Sequence, residues 1–567
     1  MTKKATYLIF FLCLVATGFS QEINTKVTVV SPYEPSISDA SKINTMPQFT
    51  DTAAIRPAFN YTIHSEKLNV DFSPRPINPA KMVIDPQPKL YKSYLKMGIG
   101  NYMTPMAELN ISTLRSKNFS YGFYARHQSS HKDIKLKNNQ KVWGGYNDNV
   151  MLLYGKRIFE PFTVDASGGL KHNTVYYYGF NSDSAVVNPY NKNDYRQDIM
   201  DLNGKISLES HHPYDSNKLY YAANVGYDLV TDKFFLNGYF KNYEQGIRTN
   251  VLLKKNIKGF YTSLFAGVDY YGKSSSFNTS DNTIICIHPS VTRSSADWKF
   301  NIGIKTIVDK IDVSSLPYFY PDLKFEFNAI QDVVRLYFGL DGGMKVNNYG
   351  SIIYENPFIV PNLNVKNSNT KLNTFIGAKG SLSSKIEFNL GVSFSKIDNQ
   401  YFFVNDTINR FFFNGDPSYI AGNQFIVVYD DIQWIRYFAE FNVMASDKFN
   451  MLGKLEVNDY KMFKQAYAWH MPAVKASLMP RYNLRNKILV SADLNYIGKR
   501  YARSPYQNGE IIVLEDMIDL NLGVEYRYTK MMSLFVRFNN LAAYKYYLWN
   551  QFPLQRFHVM AGFTYSL

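Results

Sequence analysis

The chain is predicted to be all-β, a transmembrane antiparallel β-barrel of about 22 strands, within a range of roughly 20–24. Three observations predict it: apolar residues recurring at every second position over ten or so residues, connections alternating between tight turns and long loops, and an export leader.

The alternation is clearest near the C-terminus. Ile518, Leu520, Leu522, Val524, Tyr526 and Tyr528 fall on one face, and Asp519, Asn521, Gly523, Glu525 and Arg527 on the other, because successive side chains of a strand point to opposite sides. Ile386 to Ser395 and Ile488 to Tyr496 repeat the theme. In the last segment Phe557, Val559, Ala561, Phe563, Tyr565 and Leu567 alternate with His558, Met560, Gly562, Thr564 and Ser566. A soluble sandwich also alternates, but its strands average about 5 or 6 residues. A tilted strand crossing lipid needs about 9 to 11, and these segments belong to that longer class.

Punctuation separates the two folds further. Tight turns are predicted at Thr529 to Met531, Arg485 to Lys487, Ser446 to Asn450, Ser383 to Lys385, Gln331 to Asp332, Ser294 to Asp297 and His211 to Asn217. Longer loops fall between them, at Lys545 to Pro553, Tyr501 to Leu514, Asn399 to Gln424, Gly350 to Pro361 and Asn181 to Tyr195. Short periplasmic turns and long extracellular loops are the asymmetry of outer-membrane barrels, and the parity puts both barrel ends in the periplasm. An open sheet edge in lipid would cost several kcal/mol per unsatisfied amide, so the sheet is expected to close on itself.

Three segments follow from the ends. Residues 1 to 20 read as a signal peptide: Lys3 and Lys4, an apolar core of about 12 residues, then Gly18 and Ser20 at the −3 and −1 positions before Gln21. That core is too short for a spanning helix, which needs about 20. Residues 21 to 88 carry Pro32, Pro35, Pro47, Pro57, Pro74, Pro76, Pro79, Pro86 and Pro88 with no sustained period, and read as an extended periplasmic or lumen-threading segment. The barrel is expected over residues 89 to 567. Beyond the leader only Cys286 remains, which precludes an intramolecular disulfide. The 45 Tyr and 41 Phe suit aromatic belts at two water boundaries. The net charge of +15 is scattered rather than clustered, which argues for anionic lipid head groups of the outer membrane or anionic ligands and against nucleic acid.

The last seventy or so residues resemble the C-terminal barrel of TonB-dependent receptors. The pieces are Tyr496-Ile-Gly-Lys-Arg-Tyr501, Asp519, then Asn540, Leu541, Tyr544, Pro553 and Arg556 ahead of the terminal strand. Leu554-Gln555 stands where that family has glycine before the arginine, and Leu567 where it ends on an aromatic residue. The resemblance implies a barrel of about 22 strands, in agreement with the periodicity. It also implies a TonB partner and a plug domain, but a plug needs roughly twice the residues between Gln21 and Lys89, so none is expected here. Thr25, Lys26, Val27, Thr28, Val29 and Val30 look like the family's TonB-contacting motif.

No catalytic, cofactor or metal site is expected. The nine histidines show no ligand spacing, His211-His212 falls at a turn, and Gly339-Leu-Asp-Gly-Gly343 precedes no helix. Tyr176 to Tyr178 and Tyr544 to Tyr547 read as interfacial anchors before sugar-stacking platforms. The expected function is uptake of a ligand too large for porins, gated or energised through TonB. Two alternatives stand beside it. One is a scaffold or assembly barrel whose lumen holds the N-terminal segment or another periplasmic or outer-membrane protein; the other is a passive porin.

Overall fold

The computed structural model describes residues 90 to 567 apart from 115, 181–190, 212–217, 236–238, 276–278, 312–313, 362, 408–421 and 507–508. The signal peptide, the Pro-rich segment and Thr25 to Val30 lie outside the described residues. Twenty-two strands form one sheet. In chain order they are β1 (Ser93–Gly100), β2 (Thr104–Ser112), β3 (Phe119–Ser130), β4 (Tyr146–Ile158), β5 (Phe162–Tyr176), β6 (Arg196–Ser210), β7 (Tyr220–Phe235), β8 (Tyr239–Ile257), β9 (Phe260–Ser275), β10 (Thr279–Ser294) and β11 (Trp298–Ile311). They continue as β12 (Ser314–Ile330), β13 (Val334–Lys345), β14 (Ser368–Ser383), β15 (Ile386–Asn405), β16 (Phe425–Ser446), β17 (Phe449–Met462), β18 (Val474–Leu484), β19 (Ile488–Ile497), β20 (Met517–Arg527), β21 (Met532–Asn539) and β22 (His558–Ser566). Every neighbour is antiparallel, and β1 pairs with β22 from Tyr94 opposite Ser566 to Gly100 opposite Met560, which closes the barrel. Closure leaves no unpaired edge, as a hydrocarbon surround requires.

The alternation sorts side chains as the sequence predicts. Leu153, Ile304 and Ile376 stand on the outer wall at 63, 58 and 62 % exposure, while His558, Met560 and Thr564 of β22 are buried inside. An apolar outer wall this exposed is a lipid-facing surface. Near the turn rim it carries Phe119, Tyr121, Tyr261, Phe327, Tyr482 and Tyr528, all exposed, the belt expected where hydrocarbon meets water. The lumen is polar, with ion pairs such as Arg481 to Asp493 at 2.5 Å and Lys379 to Glu326 at 2.9 Å.

At the turn rim the connections are short. One is the two-residue turn Lys258-Gly259, with φ of 52° and 84°, the left-handed pair of a type I′ hairpin. Its lysine carries no turn signature, and this turn is not among those that the sequence predicts. At the opposite rim, residues 131–145, 177–195, 346–367, 406–424, 463–473, 498–516 and 540–557 form the long loops. Four more connections at that rim are short: residues 101–103 join β1 to β2, and the other three join the strands from β7 to β12, which are 14 to 19 residues long. Such strands exceed what a bilayer needs and continue beyond it.

At the closing seam Gly98 lies opposite Gly562. A Cβ on Gly562 would fall 2.0 Å from the Met97 carbonyl oxygen and 2.7 Å from the Gly98 Cα. The ring of Phe535 lies over both glycines and packs with Met106 and Met560. Lys96 and Arg537 hold their charges 4.9 and 5.5 Å from its centre. An aromatic ring covering paired glycines restores the apolar contact that they lack.

Candidate binding site: a loop cap over a luminal cavity

The long loops fold inward and pack on one another. Tyr178 follows β5, Phe358 lies between β13 and β14, and Phe552 between β21 and β22. Counted around a ring of 22 strands these roots are eight, eight and six strands apart, so the place where the loops meet is near the barrel axis. Phe358 stacks on Phe552 at 3.8 Å between ring centres, and Tyr178 meets both edge-on at 6.0 and 5.1 Å. Edge-to-face pairs of this kind add about 0.5–1.5 kcal/mol to burial.

Hydrogen bonds tie the loops together around this keystone. The Tyr177 hydroxyl donates to the Ile359 carbonyl at 2.8 Å, and the Tyr178 hydroxyl to the Pro553 carbonyl at 3.0 Å. Burial pushes both phenols well above their ordinary range, so they remain donors at any physiological pH. Asn423 Nδ2 donates to the Tyr177 carbonyl at 2.7 Å, and the backbones of Phe358, Val360 and Phe425 exchange bonds of 2.8 and 2.9 Å. Arg500 donates to the carbonyls of Leu548 and Tyr547 at 2.7 and 2.6 Å. The aromatic residues at 177 and 178, read from sequence as interfacial anchors, are core residues of the cap. Nothing in a single loop marks them, because their partners lie about 180 and 375 residues away.

One loop bears a helix, α1 (Tyr349–Glu355), started by a capping box between Asn348 and Ser351. Its first N–H groups, on Tyr349 and Gly350, donate to the Glu244 carboxylate of β8 at 2.8 and 2.9 Å. The carboxylate satisfies orphan donors and faces the positive end of the helix. Tyr349 donates to Asp232 at 2.6 Å, and Lys273 to the Leu363 carbonyl at 2.7 Å, which fastens the loop to the inner wall of β7 to β9. Replacing Glu244 with Ala is expected to raise trypsin cleavage at Lys366 severalfold without changing barrel folding, as followed by peptide mapping.

His470 joins three parts of the cap. Its Nδ1 lies 2.9 Å from the Phe403 carbonyl, which only accepts, so Nδ1 carries the proton and Nε2 accepts the Asn550 N–H at 3.3 Å. Its own N–H donates to the Tyr501 carbonyl at 2.8 Å. Burial pulls the imidazole down to about 4, with the Arg500 charge adding to the fall and the Phe403 bond opposing it. Above about pH 6.5 the ring is neutral whether the cap is shut or open. Below that an exposed imidazole binds a proton that the buried one refuses, so cap stability falls between about pH 6.5 and 4. Cap opening, read by loop proteolysis, is therefore expected to increase across that window, and His470→Gln to flatten the dependence.

Beneath the cap lies a cavity of about 910 Å³. Its roof includes Tyr176, Tyr178 and Phe358, and its wall the inward faces of β16 to β20. Of the C-terminal residues Asn540, Leu541, Tyr544, Pro553 and Arg556 singled out from sequence, Asn540 and Arg556 line it, and the group shapes the last loop. Asn540, at φ 48°, exchanges bonds of 2.8 and 3.1 Å with the backbone of Tyr544. The Leu541 N–H donates to the Leu520 carbonyl at 2.9 Å, and Arg556 Nε to the Ala543 carbonyl at 2.8 Å. Pro553 supplies the carbonyl that takes the Tyr178 hydroxyl. Gln555, where glycine was expected, ties the loop to Ser130 at 2.7 Å.

The closed 22-strand barrel has the same fold as several solved outer-membrane receptor and transporter barrels, and the likeness extends over most of the chain. The FrpB iron transporter of Neisseria meningitidis superposes with a TM-score of 0.65 at 9 % identity, over 85 % of this chain and 82 % of that one. The ferripyoverdine receptor of Pseudomonas aeruginosa, bound to ferripyoverdine, gives 0.62 at 12 %, over 84 and 72 %. A mutant of the ferric enterobactin receptor of the same organism gives 0.60 at 11 %, over 84 and 80 %. No protein-family model and no curated protein sequence matches the chain.

Proposed function

We propose that this chain is a receptor-type transport barrel of the outer membrane that admits a ligand too large for porins, with its turn rim and both barrel ends facing the periplasm. The observation that carries the reading is the cap, since loops rooted around the whole circumference meet at the axis above a ligand-sized cavity. A passive porin needs an open mouth, and these loops cross it. Binding pockets of about 300–1,000 Å³ are typical of small-ligand sites. The structural neighbours include an iron transporter and a receptor holding ferripyoverdine, and the same architecture supports uptake here.

Thr25 to Val30 are proposed to engage TonB and energise the passage. The test is competitive growth of a strain whose chromosomal copy lacks these six residues, against wild type and a full deletion. A loss matching the full deletion supports energised uptake. Wild-type growth beside a defective full deletion overturns it.

A further inference from the structure

We propose that the cavity under the cap takes a neutral, hydroxyl-rich ligand, an oligosaccharide, held between the aromatic roof and one row of polar side chains. The inference rests on the receptor reading and adds the substrate class. Glu440, Lys454, Ser477, Asn495 and Asp519 lie directly opposite one another in register across β16, β17, β18, β19 and β20, and all five line the cavity. Strands about 4.8 Å apart make this an evenly spaced ladder of hydrogen-bonding groups. Ser477 and Asn495 make no side-chain hydrogen bond to the described residues.

Charge selects the ligand class. The cavity sets Glu440, Glu456 and Asp519 against Lys454, Lys475 and Arg556, so the wall is balanced. A strongly anionic ferric chelate would meet as many acids as bases. Amide, carboxylate and hydroxyl groups both donate and accept, or accept in pairs, as vicinal hydroxyls require. The Tyr176 and Tyr178 rings add apolar surface for the C–H face of a sugar. A peptide is disfavoured because strand addition needs an open sheet edge, and the barrel closes β1 on β22.

The test is calorimetry on the full chain in a detergent without a sugar head group. The probes are maltohexaose, cellohexaose and mannohexaose, with hexagalacturonate, a ferric tricatecholate and an alanine-rich hexapeptide beside them. Binding of a neutral hexasaccharide is expected, weakened about tenfold or more by Asn495→Leu and by Asp519→Leu, since each strands a ligand hydroxyl without a partner. Tyr176→Ala is expected to weaken it too, and Ile304→Val on the outer wall to leave it unchanged. Each variant is first checked for heat-modifiable migration, which reports an intact barrel. Binding confined to the anion, the chelate or the peptide overturns the proposal, as does the absence of binding by all three neutral sugars. Binding requires neither TonB nor a membrane potential, so the growth test of Thr25 to Val30 and this one fail independently.

Discussion

With residues 21 to 88 removed, a barrel carrying both Phe358→Ala and Phe552→Ala conducts ions in planar bilayers severalfold better than the same truncated barrel with both rings intact. The two rings stack at 3.8 Å where three loops meet, and Phe552 is almost wholly buried. Truncating a buried phenylalanine costs roughly 3–5 kcal/mol where the surroundings cannot collapse into the space. Here the loss falls where the loops meet, not on the strands, so it loosens the cap and leaves the strands paired. Equal conductance in the two truncated forms would show that the aromatic keystone does not close the pore. The full-length protein bearing the same pair reports separately whether the N-terminal segment obstructs the lumen.

The second large effect is on assembly. Gly562→Ala, and more so Gly562→Val, abolishes the folded, heat-modifiable barrel, because the added Cβ collides with the Met97 carbonyl oxygen and the Gly98 Cα. Both obstacles are backbone, so the clash is relieved only by parting β1 from β22. That exposes two strand edges to lipid at several kcal/mol for each unsatisfied group. Phe535→Ala does not rescue the variant, since the Phe535 ring is not the chief obstacle. Normal migration of Gly562→Val on semi-native gels would refute this account of the seam.

The strands were legible because lipid imposes a simple rule at every second position. From Ile518 to Tyr528 the outward residues Ile518, Leu520, Tyr526 and Tyr528 are exposed in the closed barrel, and alternation alone identifies them. Turns were legible where Asn, Asp or Ser marked them, as at Ser383 to Lys385, and missed where they did not, as at Lys258-Gly259. The cap was not legible. Tyr177 and Phe552 are ordinary aromatic residues in their own loops, and their burial depends on segments hundreds of residues distant meeting in space. The Asn540 motif was found by its resemblance to a family pattern, but its work of pinning the last loop shows only in the hydrogen bonds. The cavity row was invisible for the same reason: Glu440 and Asp519 become the two ends of one ladder only after five strands have found their register.

The convergence of the Tyr178, Phe358 and Phe552 loops also bears on mechanics. A hoop of 22 strands is easily squeezed into an oval, because neighbouring strands hinge about their hydrogen-bonded seams with little resistance. Loops rooted roughly a third of the way round from one another and joined at the hub act as spokes, and spokes resist ovalisation. Undocking them at one rim therefore softens the cross-section along the whole length, including the opposite rim. A disturbance of the loops at one rim would in this way be felt at the other as a change of shape, with no part of the chain having to travel between them.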